Sequence, residues 1–590
     1  MNDEVADRFE EMADLLAAKG VEYKPRAYRR AAENIREYPR PIDERATQGA
    51  DAVQAIDGVG EALADKVVEY AETGKIAELA ELRAELPVEM DALTRVEGVG
   101  PKTVGDLYAA LGIRTLDDLE RAAREGEIRE VKGFGAKTEE NILDNVDFAR
   151  QATKRQRIGE ARPLADAALA LLDGVDVVER AEVAGSLRRW RETIGDVDVL
   201  AASDDAGAVV DAFTDWDRAD ETIEAGDIKA SVRADGVRVD LRVVVPAEFG
   251  SALQYFTGSK DHNVRLRNYA IDHDMKLNEY GAFDVSEVGS AAGSPTESDG
   301  DGDGQRAGER VAGETEAGMY EALGLPWIPP ELREDNGEIA AAEAGELPDL
   351  LVVEDIRGDL HTHTDWSDGG HSIAAMVEAA AERGYDYHCV TDHATGPGMV
   401  GGVGLSDAEL REQIDAVRDV AADAPIDVFA GVEANVDAEG GISVGDDVLA
   451  ELDLVVASPH SALDQSEDAA TDRLVAAVEH HEVDVLGHPS GRMINRRSGL
   501  TFDAGAVAEA AAAAGTALEV NSNPARLDLW DDAVRAAVEA DATIAVNTDA
   551  HGPAEFDLVR YGVHTARRGW AEAADVLNAR DADGLRAFLG

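Results

Sequence analysis

Beyond residue 350 of this 590-residue chain, short apolar runs repeatedly end in a histidine or a carboxylate, with Ala-rich stretches between them. Cys389-Val390 leads to Asp392-His393, Phe429 to Val432 leads to Glu433, and Val485-Leu486 leads to His488. Helical stretches such as Ala374 to Arg383 and Ala504 to Gly515 separate such runs. This βαβα rhythm predicts a parallel barrel whose site lies at the strand C-termini. His361-x-His363 and Asp549-x-His551 each place two ligands on one face of a strand. With Asp368 and His460, nine residues are expected at one barrel mouth: His361, His363, Asp368, His393, Glu433, His460, His488, Asp549 and His551. Imidazoles mixed with carboxylates suit zinc or manganese ions that activate water. Nine ligands are enough for up to three such ions at about four each, some bridging. Of the 13 histidines, 11 lie beyond residue 355, and His371, His388, His480, His481 and His564 are expected to be satisfied core residues.

A second cluster, made of carboxylates alone, occupies the middle of the chain. Asp196 and Asp198 are one residue apart, so a strand turns both to one face. Asp240 lies in another strand-like run, Val237 to Leu241, and could complete a three-carboxylate cradle. Hard magnesium or manganese ions suit such a cradle, and two-metal nucleotidyl transfer needs one. Gly185-Ser186-Leu187-Arg188-Arg189 lies ten residues upstream, where Gly185 and Ser186 permit close approach to phosphate and Arg189 supplies a charged donor.

The first 140 residues read as helices joined by three apolar-x-Gly-apolar-Gly turns, at Ile56 to Gly60, Val96 to Gly100 and Val131 to Gly135. Glycines at such turns expose N–H groups to phosphate at a helix N-terminus. Three copies point to a grip on DNA backbone through Gly58, Gly60, Gly98, Gly100, Gly133 and Gly135. A basic stretch with Lys24, Arg26, Arg29, Arg30, Arg36 and Arg40, interleaved with Tyr23, Tyr28 and Tyr38, supports the same partner. The net charge of −65 does not exclude it, because the acid is spread along the whole chain. That balance fits adaptation to very high salt. The single cysteine, Cys389, excludes an intramolecular disulfide and fits a reducing cytoplasm. No apolar run is long enough for a membrane span, and no secretory signal is seen at Met1 to Glu4.

These motifs carry a resemblance. The first 335 residues resemble the family X DNA polymerases, the family of DNA polymerase beta. The matching segments are Ala27 to Ala32, the Gly-Val-Gly turns, Gly185 to Leu200, Val239 to Arg242, Tyr255 to Ser259, Asn278 to Tyr280 and Leu323 to Pro330. The resemblance implies that Asp196, Asp198 and Asp240 bind catalytic metals, and that Gly185, Ser186 and Arg189 hold the triphosphate. Tyr255, Phe256 and Gly258 would line the sugar pocket, while Asn263 and Arg267 would touch the nascent base pair and template. Lys24, Tyr28 and Arg30 would meet DNA. Lys66 matches the Schiff-base lysine of members with deoxyribose-phosphate lyase activity, although Gln54 and Ala62 replace lysines expected in that pocket. The C-terminal part is similar to the PHP (polymerase and histidinol phosphatase) domain through Thr391 to His393, Gly487 to Pro489 and Asn547 to His551. It implies a manganese- or zinc-dependent phosphoesterase, commonly a 3′→5′ exonuclease, with Arg492 and Arg526 as phosphate contacts.

The expected organisation is multidomain. It comprises a helical DNA-binding domain at 1–85, helix-hairpin-helix fingers at 86–155, an α+β nucleotidyltransferase palm at 156–245 and a thumb at 246–335. An acidic insert at 286–315, a linker at 336–350 and a distorted (β/α)7 barrel at 351–590 complete it. A cytoplasmic, monomeric DNA repair enzyme is expected, acting on gapped or primer-template DNA with deoxynucleoside triphosphates. Two rivals are a small-molecule phosphatase tethered to DNA and a non-enzymatic scaffold for DNA ends.

Overall fold

The computed structural model describes residues 2–21, 24–36, 42–54, 56, 59–94, 96, 99–152, 155–286, 306, 308–397, 404–494 and 499–590. Gly58, Gly98, Tyr23, Tyr38, Arg40 and most of the acidic insert lie outside them.

The N-terminal region is helical, and one apolar core runs through it from Val5 to Val146. The two expected domains at 1–85 and 86–155 therefore share their interior. Gly105 explains part of this: the helix Pro101–Leu111 lies so close to Ala18 that a Cβ at position 105 would collide with the Ala18 carbonyl. Pro101 starts that helix at a position whose N–H needs no partner. Thr115 caps the next helix by accepting from the Asp118 N–H, and Asp118 reciprocates.

The middle of the chain forms a five-stranded sheet. Its spatial order is Arg180–Val183, Val197–Ala202, Val237–Val244, Lys229–Ala234, Ala219–Ala225. Strand Val237–Val244 alternates buried and half-buried residues, as a strand with one face on a core should. It pairs parallel to Val197–Ala202, with Asp198 directly opposite Asp240. A three-stranded antiparallel sheet follows, built from Met275–Asn278, Gly281–Asp284 and Glu309–Ala312.

The expected linker at 336–350 is not a loose connection. It contains the helix Glu338–Ala344, and Ile339, Ala342 and Leu350 enter the apolar core that holds Met319, Tyr320 and Ile328. Its Ala-rich composition is that of a packed helix, since Ile339 and Ala342 stand three apart on one face.

Seven parallel strands then follow one another in chain order from Gly358–Asp359 to Ile544–Asn547. A parallel bridge from Thr362 to Ala550 brings the first and last together, so the sheet is a nearly closed barrel. Ser372, Ser406, Ser466 and Asp503 cap the helices between strands. The barrel packs against the palm: Ile494, Leu527 and Tyr561 join the palm's apolar core. Trp190 of the palm stacks on His564 of the barrel domain, centroids 3.6 Å apart. His564, expected in a core, is an interdomain residue. Two others also depart from that expectation, because His371 and His481 are exposed.

Candidate active sites

In the palm, two adjacent parallel strands set Asp198 and Asp240 side by side. Asp196 stands at the exposed rim, two residues before Asp198. Burial, and then the charges of Asp240 and Asp196, push the Asp198 carboxyl up to about 7. Crowded carboxylates of this kind favour a proton or a cation among them. The donor set fits a hard divalent ion. Ser231 and Arg238 donate to Asp240, with Arg238 Nε 2.8 Å from its Oδ1. Gly185 faces this cradle. Its φ is +60°, and a Cβ there would overlap the Asp198 carboxylate.

The Gly-Ser-x-Arg-Arg turn is held from both sides. Arg188 pairs with Glu316 through two bonds of 2.7 Å and donates to Thr257. Arg189 donates to Glu334 at 2.9 Å and to the Thr257 carbonyl at 2.7 Å. Nearby, Tyr255, Asn263, Arg267 and Asn278 line one cleft. Asn263 is fixed by donating to the Tyr255 and Gly258 carbonyls, and Phe256 packs edge-on to Tyr255 beneath Arg242.

At the barrel mouth, all nine expected ligands converge. Glu433 lies at the centre, with His488 Nε2 at 3.0 Å, His460 Nε2 at 3.2 Å, His361 Nε2 at 3.4 Å and His393 Nδ1 at 2.7 Å. Asp549 faces His363 Nε2 at 3.1 Å, and Asp368 faces His551 Nε2 at 3.3 Å. Burial alone would deprotonate His393, but the charges of Glu433 and Asp368 prevail and hold its pKa up at about 10. The cluster is thus strongly cation-attracting. Buried His361 Nε2, both His363 ring nitrogens and both Glu433 oxygens lack a hydrogen-bond partner. Three overlapping sets, His363-Asp368-His393-His551, His361-His363-Glu433 and His393-Glu433-His460, each bring their ligand atoms within 4.8 Å of one another. This donor set fits metal ions.

Several residues around this cluster were not singled out from the sequence. Buried Glu519 accepts from His361 Nδ1 at 2.7 Å, from the His488 N–H at 2.7 Å and from Asn547 Nδ2 at 3.0 Å. Asn435 Oδ1 accepts from His460 Nδ1 at 2.7 Å. These contacts leave Nε2 of both histidines directed at the cluster. A carboxylate inside the apolar strand Ala517–Asn521 was the available signal.

Arg526 stands at the mouth, its Nε 3.8 Å from Asp549. Arg492 is engaged by other groups. Its guanidinium donates to the Arg526 and Leu527 carbonyls and to Glu192 of the palm at 2.6 Å. It therefore pins the two domains together. The chain turns just before it, at Gly491, whose φ is +61°.

In the N-terminal region, Gly60 and Gly100 cap the helices Glu61–Thr73 and Pro101–Leu111, and Gly135 precedes Ala136–Ala152. A Cβ at Gly60, Gly100, Gly133 or Gly135 would meet nothing, so these helix starts face open space. Lys24 and Arg30 are exposed, whereas Tyr28 is buried edge-on to Phe9. Lys66 is paired with Glu78 at 2.8 Å, and Lys24 approaches the same carboxylate at 3.7 Å. Burial works to lower the Lys66 pKa, but Glu78 outweighs it and holds the ammonium charged. A Schiff-base nucleophile needs the opposite. The lyase role expected for Lys66 therefore has no support in its surroundings.

A carboxylate cradle on a mixed sheet and a histidine-carboxylate cluster in a seven-stranded barrel define a two-centre enzyme of phosphate-ester chemistry. Comparison with known proteins agrees part by part. Residues 1–76 match a helix-hairpin-helix domain and 90–146 a SAM-like helix-hairpin-helix tandem. Residues 252–334 match the DNA polymerase beta thumb, and 359–523 match the PHP domain. The DNA polymerase/3′-5′ exonuclease PolX of Bacillus subtilis is 34% identical over 571 residues, 96% of this chain and 95% of that protein. DNA polymerase lambda of Rattus norvegicus is 25% identical over 56% of each chain. A probable phosphatase of Caldanaerobacter subterraneus is 32% identical over 34% of this chain and 78% of its own length. The chain belongs to the family X DNA polymerases that carry a C-terminal PHP domain. Among the described residues, no helix is long and apolar enough to cross a membrane.

Proposed function

We propose that the chain is a DNA polymerase that fills short gaps during repair, joined to a 3′→5′ exonuclease that trims or cleans 3′ ends. What carries the reading is that both charge-concentrating clusters are assembled on one chain, each with the donor set its chemistry needs. In the palm, Asp196, Asp198 and Asp240 would hold magnesium or manganese, which supplies activation of a primer 3′-hydroxyl and neutralisation of the triphosphate. Arg189, with Gly185 and Ser186 beside it, binds the triphosphate. Tyr255, Phe256 and Gly258 shape the sugar pocket, and Asn263 and Arg267 meet the nascent pair. Asn263 is already fixed by its bonds to backbone carbonyls, so it can order the nucleotide without reorganising.

In the barrel, the nine ligands would hold up to three manganese or zinc ions, which supply activated water and a clamp on the leaving oxygen. Arg526, 3.8 Å from Asp549, draws a phosphate into the mouth. Lys24, Arg30 and the open helix starts at Gly60, Gly100, Gly133 and Gly135 hold the DNA backbone, together with Gly58 and Gly98. The protein works as a cytoplasmic monomer on gapped or primer-template DNA. A tethered small-molecule phosphatase accounts for the barrel alone, and the phosphatase relative aligns to only 34% of the chain.

The test is a one-nucleotide-gapped DNA with a labelled primer and dNTPs, run with Asp198→Ala and His363→Ala variants. Extension lost only in the first and shortening lost only in the second establishes two sites. Extension absent from the unaltered protein under every salt and metal condition would refute the polymerase assignment.

A further inference from the structure

The turn that carries Arg189 is clamped by a residue from the other catalytic domain. The short helix Gly185–Arg188 ends at Arg189, whose carbonyl is one of the unpaired acceptors at a helix C-terminus. Arg568, the last residue of the barrel-domain helix Val559–Arg568, donates to that carbonyl at 2.8 Å. The same Nη1 reaches Glu334 Oε1 at 3.1 Å, and Nη2 donates to Asp531. Glu334 Oε1 is also the acceptor for Arg189 Nε at 2.9 Å, and the Glu334 side chain is only 13% exposed. One residue further on, Trp190 stacks on His564 of the same barrel-domain helix.

This arrangement answers a problem of charge. An arginine that turns to a triphosphate must leave its carboxylate, and a half-buried carboxylate left without a partner is costly. Arg568 is already on Glu334 and is bound to the Arg189 backbone rather than its side chain. It can keep Glu334 neutralised and the turn in place while the Arg189 guanidinium moves to phosphate. We infer that Arg568 is a positioning residue for nucleotide addition, supplied to the polymerase site by the PHP domain. The inference rests on the proposed role of Arg189 as a triphosphate ligand.

The experiment is steady-state gap filling by the full chain carrying Arg568→Ala, Arg568→Lys, Arg189→Ala, the Arg189→Ala/Arg568→Ala pair, or Arg567→Ala. Arg567 pairs with Glu331 in the same interface and serves as control. Arg568→Ala is expected to raise KM for the dNTP about tenfold or more, with kcat changed far less. The pair should resemble Arg189→Ala within about twofold, because the two residues act as one unit. Arg568→Lys should fall between, and supplies the same comparison if the alanine variant does not fold. Arg567→Ala should keep the original KM, and shortening of single-stranded 3′ ends should persist throughout. Full additivity in the pair, an unchanged KM in Arg568→Ala, or exonuclease falling in step with extension would overturn the inference. An unchanged KM in Arg189→Ala would instead remove the triphosphate reading, and this inference with it.

Discussion

Glu519 lies buried beside the barrel cluster, and its carboxylate orients two elements of it. It accepts from the His361 ring, from the His488 backbone and from Asn547. Glu519→Gln keeps the shape and removes both the charge and one acceptor. If the amide oxygen faces His361, the amide NH2 meets the His488 N–H donor to donor. If it faces His488, the NH2 opposes His361 Nδ1–H and Asn547 together. Either way at least one hydrogen bond to a charged acceptor is lost, about 1.5–3 kcal/mol. Spent on an ion that His361 would help to hold, that is about 10–100-fold in affinity, the usual cost of losing a ligand's supporting partner. The assay is competition with a chromophoric chelator for Zn2+ or Mn2+, with metal content measured after dialysis. One ion should weaken by that factor while gap filling is unaffected. Full stoichiometry with affinity within about twofold of the unaltered protein would refute the reasoning.

Other outcomes can be measured directly. Gly185→Ala should abolish most primer extension and leave 3′ shortening intact, since it forces a Cβ into the Asp198 carboxylate at φ +60° and adds about 1–2 kcal/mol of backbone strain. Glu316 is buried; burial raises its pKa, but Arg333 and Arg188 bring it down to about 2, below its ordinary 4.5. A depressed folded-state pKa means its stabilisation is present above about pH 4.5 and lost as pH falls toward 2. Denaturant titrations should therefore show Glu316→Gln about 3 kcal/mol less stable than the unaltered chain near neutrality. The gap should narrow as pH is lowered from 5 to 3, and a constant gap would count against the pairing. Borohydride trapping on a 5′-deoxyribose-phosphate end should give no cross-link that Lys66→Ala removes, because Glu78 keeps Lys66 charged.

How much of this was readable in the chain depended on whether a residue's role is local. Much of the barrel cluster was legible because His393, Glu433, His460 and His488 follow apolar strand-like runs, and strand ends in a parallel barrel meet by construction. Asp368, by contrast, lies in a turn well past the strand Gly358–Asp359. Asp198 and Asp240 were legible for a related reason: both sit on strands of one sheet, though only the structure places them in register. Glu519 was less so, since a lone carboxylate in an apolar run declares burial but not its partner. Arg492 was named from resemblance alone, and nothing in its stretch of sequence showed that its guanidinium meets Glu192 of the palm. Trp190 with His564, and Arg189 with Arg568, are invisible to periodicity, because their pairing depends on how two folded domains dock.

That docking bears on the charge of −65. In about 1 M salt the screening length is about 3 Å, so exposed charges hardly sense one another while pairs in contact and out of water persist. The joint between palm, thumb and barrel is made of the second kind. Arg189 and Arg568 share Glu334, and Arg567 and His564 share Glu331. In the N-terminal region, Lys24 has a side chain 62% exposed and lies 3.7 Å from its carboxylate, and Arg29 is 48% exposed. Rising salt should therefore loosen the grip on DNA backbone well before it loosens the joint. The two catalytic centres would then stay fixed relative to each other across a salt range in which the hold on substrate varies greatly. A 3′ end released from the palm under those conditions would find the barrel mouth in an unchanged place, because Arg189, Arg567 and Arg568 are largely buried where that constancy is made.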